Sequence, residues 1–287
     1  MSDQPAGSAI ARIRLGARLR RLREARGVTA QQAAAAIGGS DSKISRIELG
    51  RHAAREIDVV DLLTLYQVTD SGQREELLDL ASQALAAPWW QHSADLLPPW
   101  FQAYLGLEEA AAGILSYDTH AVPGLLQTPD YCAGLLGAAD FDAEETRRLV
   151  EVQAQRIERF AARGWRLRAV IDEAVLLRPV TGRQVHADQL RHLREAAGWS
   201  GVTLRIRSLA AGAAAAPAGF TIVQMADPDL PDVVYTEQLT AASYLDRPAD
   251  VRRYVRAFGR LEGSSQPASR TGAALDKLLA DLDRSAC

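Results

Sequence analysis

The segment Gly39-Ser-Asp-Ser-Lys-Ile-Ser-Arg-Ile-Glu-Leu-Gly50 gathers Asp41, Lys43, Arg46, Glu48 and three serines within twelve residues. On a helix, such side chains can donate to guanine O6 and N7 or grip phosphate oxygens. The stretch is therefore either a short helix with a polar face or a helix built to lie in a groove of DNA. Other spacings invite catalysis. If the alternating run Ile114-Leu-Ser-Tyr-Asp-Thr-His-Ala-Val122 is a strand, Asp118 and His120 share one face, with Cys132 nearby in sequence. A histidine satisfied by a carboxylate is the commoner outcome of such a pair, and a structural role is expected. His186, Asp188 and His192 fall on one predicted helix. Six residues set the two histidines about 240° apart, poor for a shared metal. HExxH, GxxxxGK[ST], GxGxxG after a strand and GxSxG are all absent. Neither enzyme activity, a metal nor a cofactor is expected.

Charge narrows the choice. The net charge of −3 divides unevenly: residues 1–56 hold 11 Lys/Arg and 5 Asp/Glu, a balance of +6, and the remainder 22 and 31, a balance of −9. A basic head on an acidic body suits a protein that touches nucleic acid through its first fifth. Cys132 and Cys287 are the two cysteines and form no CxxC, so neither a disulfide framework nor structural zinc is expected. No segment reaches the roughly 20 uncharged apolar residues that span a bilayer, and no apolar region follows Arg12 and Arg14. A cytoplasmic protein without membrane contact is expected.

The elements that must hold Asp41 to Arg46 in place are legible from local signals. Leu15, Leu19 and Leu22 recur at helical spacing, and Gly27 ends that basic helix. Thr29 and Gln32 form a capping box opening a second helix, with Ala33 and Ile37 facing inward. Gly38-Gly39 turns the chain, Ser40 caps a third helix with Ile44 and Ile47 apolar, and Gly50 stops it. Two further helices over 57–86, with Val60, Leu63, Leu77 and Leu80 as core positions, complete a five-helix unit. Two short helices joined by a glycine turn are the helix-turn-helix arrangement.

The run "LGARLRRLREARGVTAQQAAAAIGGSDSKISRIELG" resembles the Xre, or phage-repressor-like, helix-turn-helix family. The likeness rests on the Arg-x3-Gly-x-Thr entry, the Gly turn, the Ile-Ser-x-Ile-Glu core and the closing Gly. The resemblance implies that the third helix enters the major groove N-terminus first, turning Asp41, Ser42, Lys43 and Arg46 toward base edges. Arg46 is the expected reader of guanine, Lys43 of a base or a phosphate, and Asp41 a helix N-terminal charge or an acceptor from cytosine. Ser45, Gln31 at the start of the second helix, and Arg51 complete the DNA-binding candidates. Ala30 stands where the family usually has Gln, so one phosphate contact is expected to be missing. Arg23 and Glu48 correspond to the family's buried structural pair.

Downstream, three tryptophans lie among prolines between Trp89 and Trp100, expected as a docking segment or small aromatic core. Thr128 and Pro129 open a short helix, and "DAEETRRLVEVQAQRIERFAA" reads as a long one. "RLRAVIDEAVLLRP", "VTLRIRSL", "GFTIVQMAD" and "DVVYTEQLTAASYL" read as strands, and "GRQVHADQLRHLREAAG" and "PADVRRYVRAFGRLEG" as helices. The expected fold class is α+β: an all-α domain over 9–87, a mixed domain with a mostly antiparallel sheet over 88–262, and a linker with a C-terminal helix over 263–287. "LPPWFQAYLGLE", "VPGLLQTPDY" and "DEAVLLRPV" resemble a domain of uncharacterised function that follows Xre-type heads in high-GC Gram-positive bacteria. That resemblance implies an antitoxin-like regulator, with a small protein partner encoded nearby or a small-molecule effector. Ala213 to Ala216 stand where the family has a histidine in the small-residue loop, so no role for it carries over. The function expected is a homodimeric regulator on an inverted-repeat operator in double-stranded DNA. The alternative is an antitoxin-like protein that sequesters a small partner and autoregulates its operon.

Overall fold

Five helices follow one another almost without pause from the N-terminal side: α1 (Ser8–Ala25), α2 (Ala30–Ala36), α3 (Asp41–Glu48), α4 (Glu56–Leu65) and α5 (Ser71–Ala84). A sixth, α6 (Pro99–Glu109), packs on α1. The computed structural model describes residues 8–284 except 165, 181, 214, 215, 217, 228 and 229, so part of the small-residue loop read over 210–219, and Cys287, lie outside the described residues. Contacts divide the chain in two. One unit runs to Ala94 and adds Pro98–Ala110 and Asp227–Leu230; the other holds Asp95–Leu97, Ala111–Ala226 and the chain from Pro231 onward.

The helical unit closes on Leu15 and Leu19 of α1, Ile44 and Ile47 of α3, Leu62 and Leu63 of α4 and Leu77 of α5, all buried. Each such side chain contributes roughly 1.5–3 kcal/mol by leaving water. The core face of α4 is Val59, Leu62 and Leu63, with Val60 only half buried. Trp90 is buried and meets Trp89 edge to face at 5.1 Å, making a small aromatic core in this unit.

The second unit is built on one six-stranded sheet: β1 (Ala111–Asp118), β2 (Leu167–Asp172), β3 (Val202–Arg207), β4 (Phe220–Met225), β5 (Val233–Glu237) and β6 (Ala242–Leu245). Its order is β3-β2-β1-β4-β5-β6. The expectation of a mostly antiparallel sheet is corrected: β1, β2 and β3 run parallel, while β4 joins β1, β5 joins β4 and β6 joins β5 antiparallel. The cause lies in the connections. Between β1 and β2 come α7 (Pro129–Ala138) and α8 (Ala143–Ala162); between β2 and β3 come α9 (Glu173–Leu177) and α10 (Arg183–Ala196). Helical crossovers of that length return a strand in the same direction.

Two strand expectations also change. "RLRAVIDEAVLLRP" turns helical after Asp172, whose carboxylate caps α9 by accepting from the Ala174 N–H. "DVVYTEQLTAASYL" is a hairpin of β5 and β6 in which Tyr235 faces Tyr244. Helices α11 (Pro248–Gly263) and α12 (Thr271–Arg284) follow. Between them the chain is pinned to β3, since Gln266 N–H donates to Ile206 O and Thr271 Oγ1 to Leu204 O. No helix among the described residues is long and apolar enough to cross a membrane.

Candidate nucleic-acid interface

Helix α2 begins where Thr29 stops being extended. Its hydroxyl accepts from the Gln32 N–H at 3.2 Å, and the Gln32 side chain accepts from the Thr29 N–H at 2.8 Å. Ser40 does the same for α3, accepting from the Lys43 N–H at 3.3 Å. These caps satisfy backbone donors that the turn would otherwise orphan, and they fix the angle at which α3 leaves α2.

Close backbone approach then seats α3 on α1. A Cβ added to Gly16 would stand 2.2 Å from Ile47 O, so only glycine lets α1 come this near. Gly50, at φ +66, closes α3 in a left-handed conformation against Ile13, whose Cα would lie 2.7 Å from an added Cβ. Gly50 was legible as a helix stop. Gly16 was missed, and its only signal is a glycine inside an amphipathic helical run.

A fork of hydrogen bonds ties the same two helices. Arg23 Nε donates to Glu48 Oε1 at 2.5 Å, Nη2 to Oε2 at 2.9 Å, and Nη1 to Val28 O at 2.9 Å. The bond from Glu48 raises the guanidinium pKa further, so the charge is permanent. Tyr66 is buried beside this pair, and burial together with the Glu48 charge holds its phenol well above its usual range.

Lys43 has a partner within the fold. Its ammonium donates to Asp58 Oδ2 at 2.9 Å, and Arg55 Nη2 donates to Asp58 Oδ1 at 2.6 Å. The Asp58 side chain is 3% exposed and that of Lys43 23%. Lys43 thus flanks the buried edge of α3 and joins it to the first turn of α4. Asp58 was not singled out in the sequence, because an acid within "EIDVVDLL" reads as first-turn helix charge.

What remains outward on α3 is a compact set. Asp41, Ser42, Ser45 and Arg46 are all exposed, and at about 100° per residue they share one side of the helix. The Ser42 hydroxyl lies 2.9 Å from that of Ser40. Arg46 has no side-chain partner among the described residues. Gln31 on α2 and Arg51 beyond Gly50 are also exposed. The face combines one forked cation, two hydroxyls and a carboxylate, which is the chemistry of hydrogen bonding to base edges and phosphates.

Strand β1 ends at Asp118, so His120 lies past it, exposed, with Nδ1 3.0 Å from Thr119 Oγ1. Burial pushes the Cys132 thiol up to about 11, against the nearby charge of Arg156, which leaves it protonated. His186 is buried with Nε2 2.9 Å from Leu176 O, and His192 packs edge-on against Trp199. Among the described residues no three His, Cys, Asp or Glu side chains gather as a metal site.

Comparison with known families finds two matches in the chain. Residues 14–77 match a family described as a helix-turn-helix domain, and residues 101–277 match a domain of unknown function, DUF5753. No curated protein and no solved structure matches the chain.

Proposed function

Because the chain belongs to the DUF5753 family and carries a helix-turn-helix domain ahead of it, we propose that it is a sequence-specific transcriptional regulator of the Xre type. The observation that carries this is the state of α3. Lys43 and Glu48 are bonded inward, whereas Arg46 stands exposed and without a side-chain partner among the described residues. Arg46 takes guanine O6 and N7 in the major groove, Ser42 and Asp41 meet neighbouring edges, and Ser45, Gln31 and Arg51 hold phosphates. The protein acts in the cytoplasm as a homodimer, with the DUF5753 unit taking the regulatory input.

Two heads on a two-fold axis would set their third helices about 34 Å apart, so the operator is an inverted repeat with half-sites about ten base pairs apart. Selection of bound fragments from sheared genomic DNA with the purified chain tests this. Enrichment of such a repeat is expected; fragments sharing no motif would end the sequence-specific reading.

A further inference from the structure

Helix α11 buries Val251, Ala257, Phe258 and Leu261 against the sheet unit's core. Its opposite side carries Arg252, Arg253, Arg256 and Arg260, all exposed. At about 100° and 1.5 Å per residue, the four fall within an arc of about 100° and along about 12 Å of axis. None has a side-chain hydrogen bond or ion pair among the described residues.

The other long helices of this unit behave differently. On α8, Arg147 pairs with Glu144 and Glu151, and Arg148 with Asp95; on α10, Arg191 pairs with Asp188 and Arg194 with Asp276. In a chain whose residues 57–287 carry 31 acids against 22 bases, carboxylates neutralise those helices and leave α11 alone. Like charges one helical turn apart repel, so the stripe disfavours the isolated fold.

We propose that the α11 stripe is a second DNA-contacting surface, gripping phosphates of the duplex that the helix-turn-helix domain holds; it rests on the DNA-binding reading above. A DNA strand offers a phosphate about every 3.4 Å of axis, so a 12 Å row of guanidinium forks meets several, each able to bond in a bidentate manner. DNA is favoured over an acidic protein because the chain brings the polyanion itself. The head and α11 belong to one chain, so α11 is carried along with whatever the head has bound.

The test uses the full chain and a 30-base-pair duplex of random sequence, with affinity measured across a salt series. Three proteins are compared: the unaltered chain, R252Q/R253Q/R256Q/R260Q, and the same four positions changed to Lys. Each phosphate contact contributes about 0.9 to the slope of log affinity against log salt. The Gln protein should show a slope shallower by up to about 3–4 per protomer, equally on any sequence, while the Lys protein keeps the steep slope. An unchanged slope in the Gln protein, with the unaltered chain binding normally, overturns the proposal and leaves an acidic protein as the partner for this face. Failure of the unaltered chain to bind any duplex would overturn the regulator reading itself, and the stripe proposal with it.

Discussion

The ammonium of Lys43 lies 2.9 Å from the buried carboxylate of Asp58, so the one lysine of the third helix is a strut to the fourth helix. A cation in the first turns of a DNA-reading helix is ordinarily assigned to DNA; this one already holds an ion pair within the fold.

Lys43→Met should therefore act on stability. Arg55 still bonds Asp58, so the loss should be about 1.5–3 kcal/mol in urea unfolding, the net worth of one charged hydrogen bond. The salt dependence of DNA binding should stay that of the unaltered protein. A variant of full stability whose salt slope fell by about 0.9 would return Lys43 to the phosphate contacts.

The same carboxylate sets a pH dependence. Burial pushes the Asp58 carboxyl up, but hydrogen bonds from Arg55 and Lys43 outweigh it and hold it below the usual carboxylate range. A depressed folded pKa gives stability that is present above the unfolded value near 3.9 and is lost as pH falls through the folded one. Asp58→Asn should thus be less stable than the unaltered chain at pH 6, by roughly 1–3 kcal/mol, with the gap closing below about pH 4. Denaturant midpoints measured from pH 6 to 2.5 check this, and a constant gap would contradict it.

Arg46→Ala should do the converse. Exposed and without a side-chain partner among the described residues, Arg46 contributes little to folding, and the unfolding free energy should hold to within about 0.5 kcal/mol. Discrimination at one base pair of each half-site should drop by about 1–3 kcal/mol. Binding profiles on a set of single-base operator variants read this directly, and an unaltered profile removes Arg46 from base reading.

A second buried acid carries the opposite sign. At the end of β1, burial pushes the Asp118 carboxyl up to about 7, against the approach of Ser116 and the positive charge of Arg156. Among the described residues, neither Asp118 Oδ2 nor Ser116 Oγ has a hydrogen-bond partner. A raised carboxylate pKa costs stability as pH climbs from the unfolded value toward 7, and the full cost applies above it. Asp118→Asn should raise the melting temperature at pH 8 and lose that advantage on approach to pH 4. A gain independent of pH would mean that charge is not the cause.

Gly16→Ala should cost about 2 kcal/mol or more, because the new Cβ meets the Ile47 carbonyl and α1 must move off α3. Gly259→Ala, on α11 with nothing within 4 Å, should instead stabilise by about 0.5–1 kcal/mol through the lost entropy of the unfolded chain. Chemical denaturation of both variants separates steric from conformational effects.

The local grammar of the head was readable, and its cross-links were less so. Caps at Thr29, Ser40 and Thr128 are decided by neighbours three residues away, and each caps its helix as the sequence implies. The Lys43–Asp58 bond joins two helices 15 residues apart, and no periodicity announces it. The sheet misled for a physical reason. Parallel strands normally read as unbroken apolar runs, whereas β3 alternates, with Thr203 and Arg205 between buried residues, and β2 is interrupted by the exposed Arg168. Arg168 and Arg205 are accommodated by α11: Arg168 pairs with Glu262 and lies over the Phe258 ring, and Arg205 donates to Glu262 O. Alternation that reports a polar helix-covered face looks, in one dimension, like a solvated antiparallel sheet.

Strand β1 pairs on one side with β2 and on the other with β4, where Tyr117 meets Phe220 about a hundred residues later in the chain. At translation rates of about 5–20 residues per second, β1 leaves the ribosome several seconds before that partner exists. Throughout that interval its apolar edge, rich in Ile114, Leu115 and Tyr117, is available to any other unpaired strand. The centre of the finished sheet thus keeps an open edge on the newborn chain until β4 is made, and slow synthesis across residues 119–219 would lengthen the exposure.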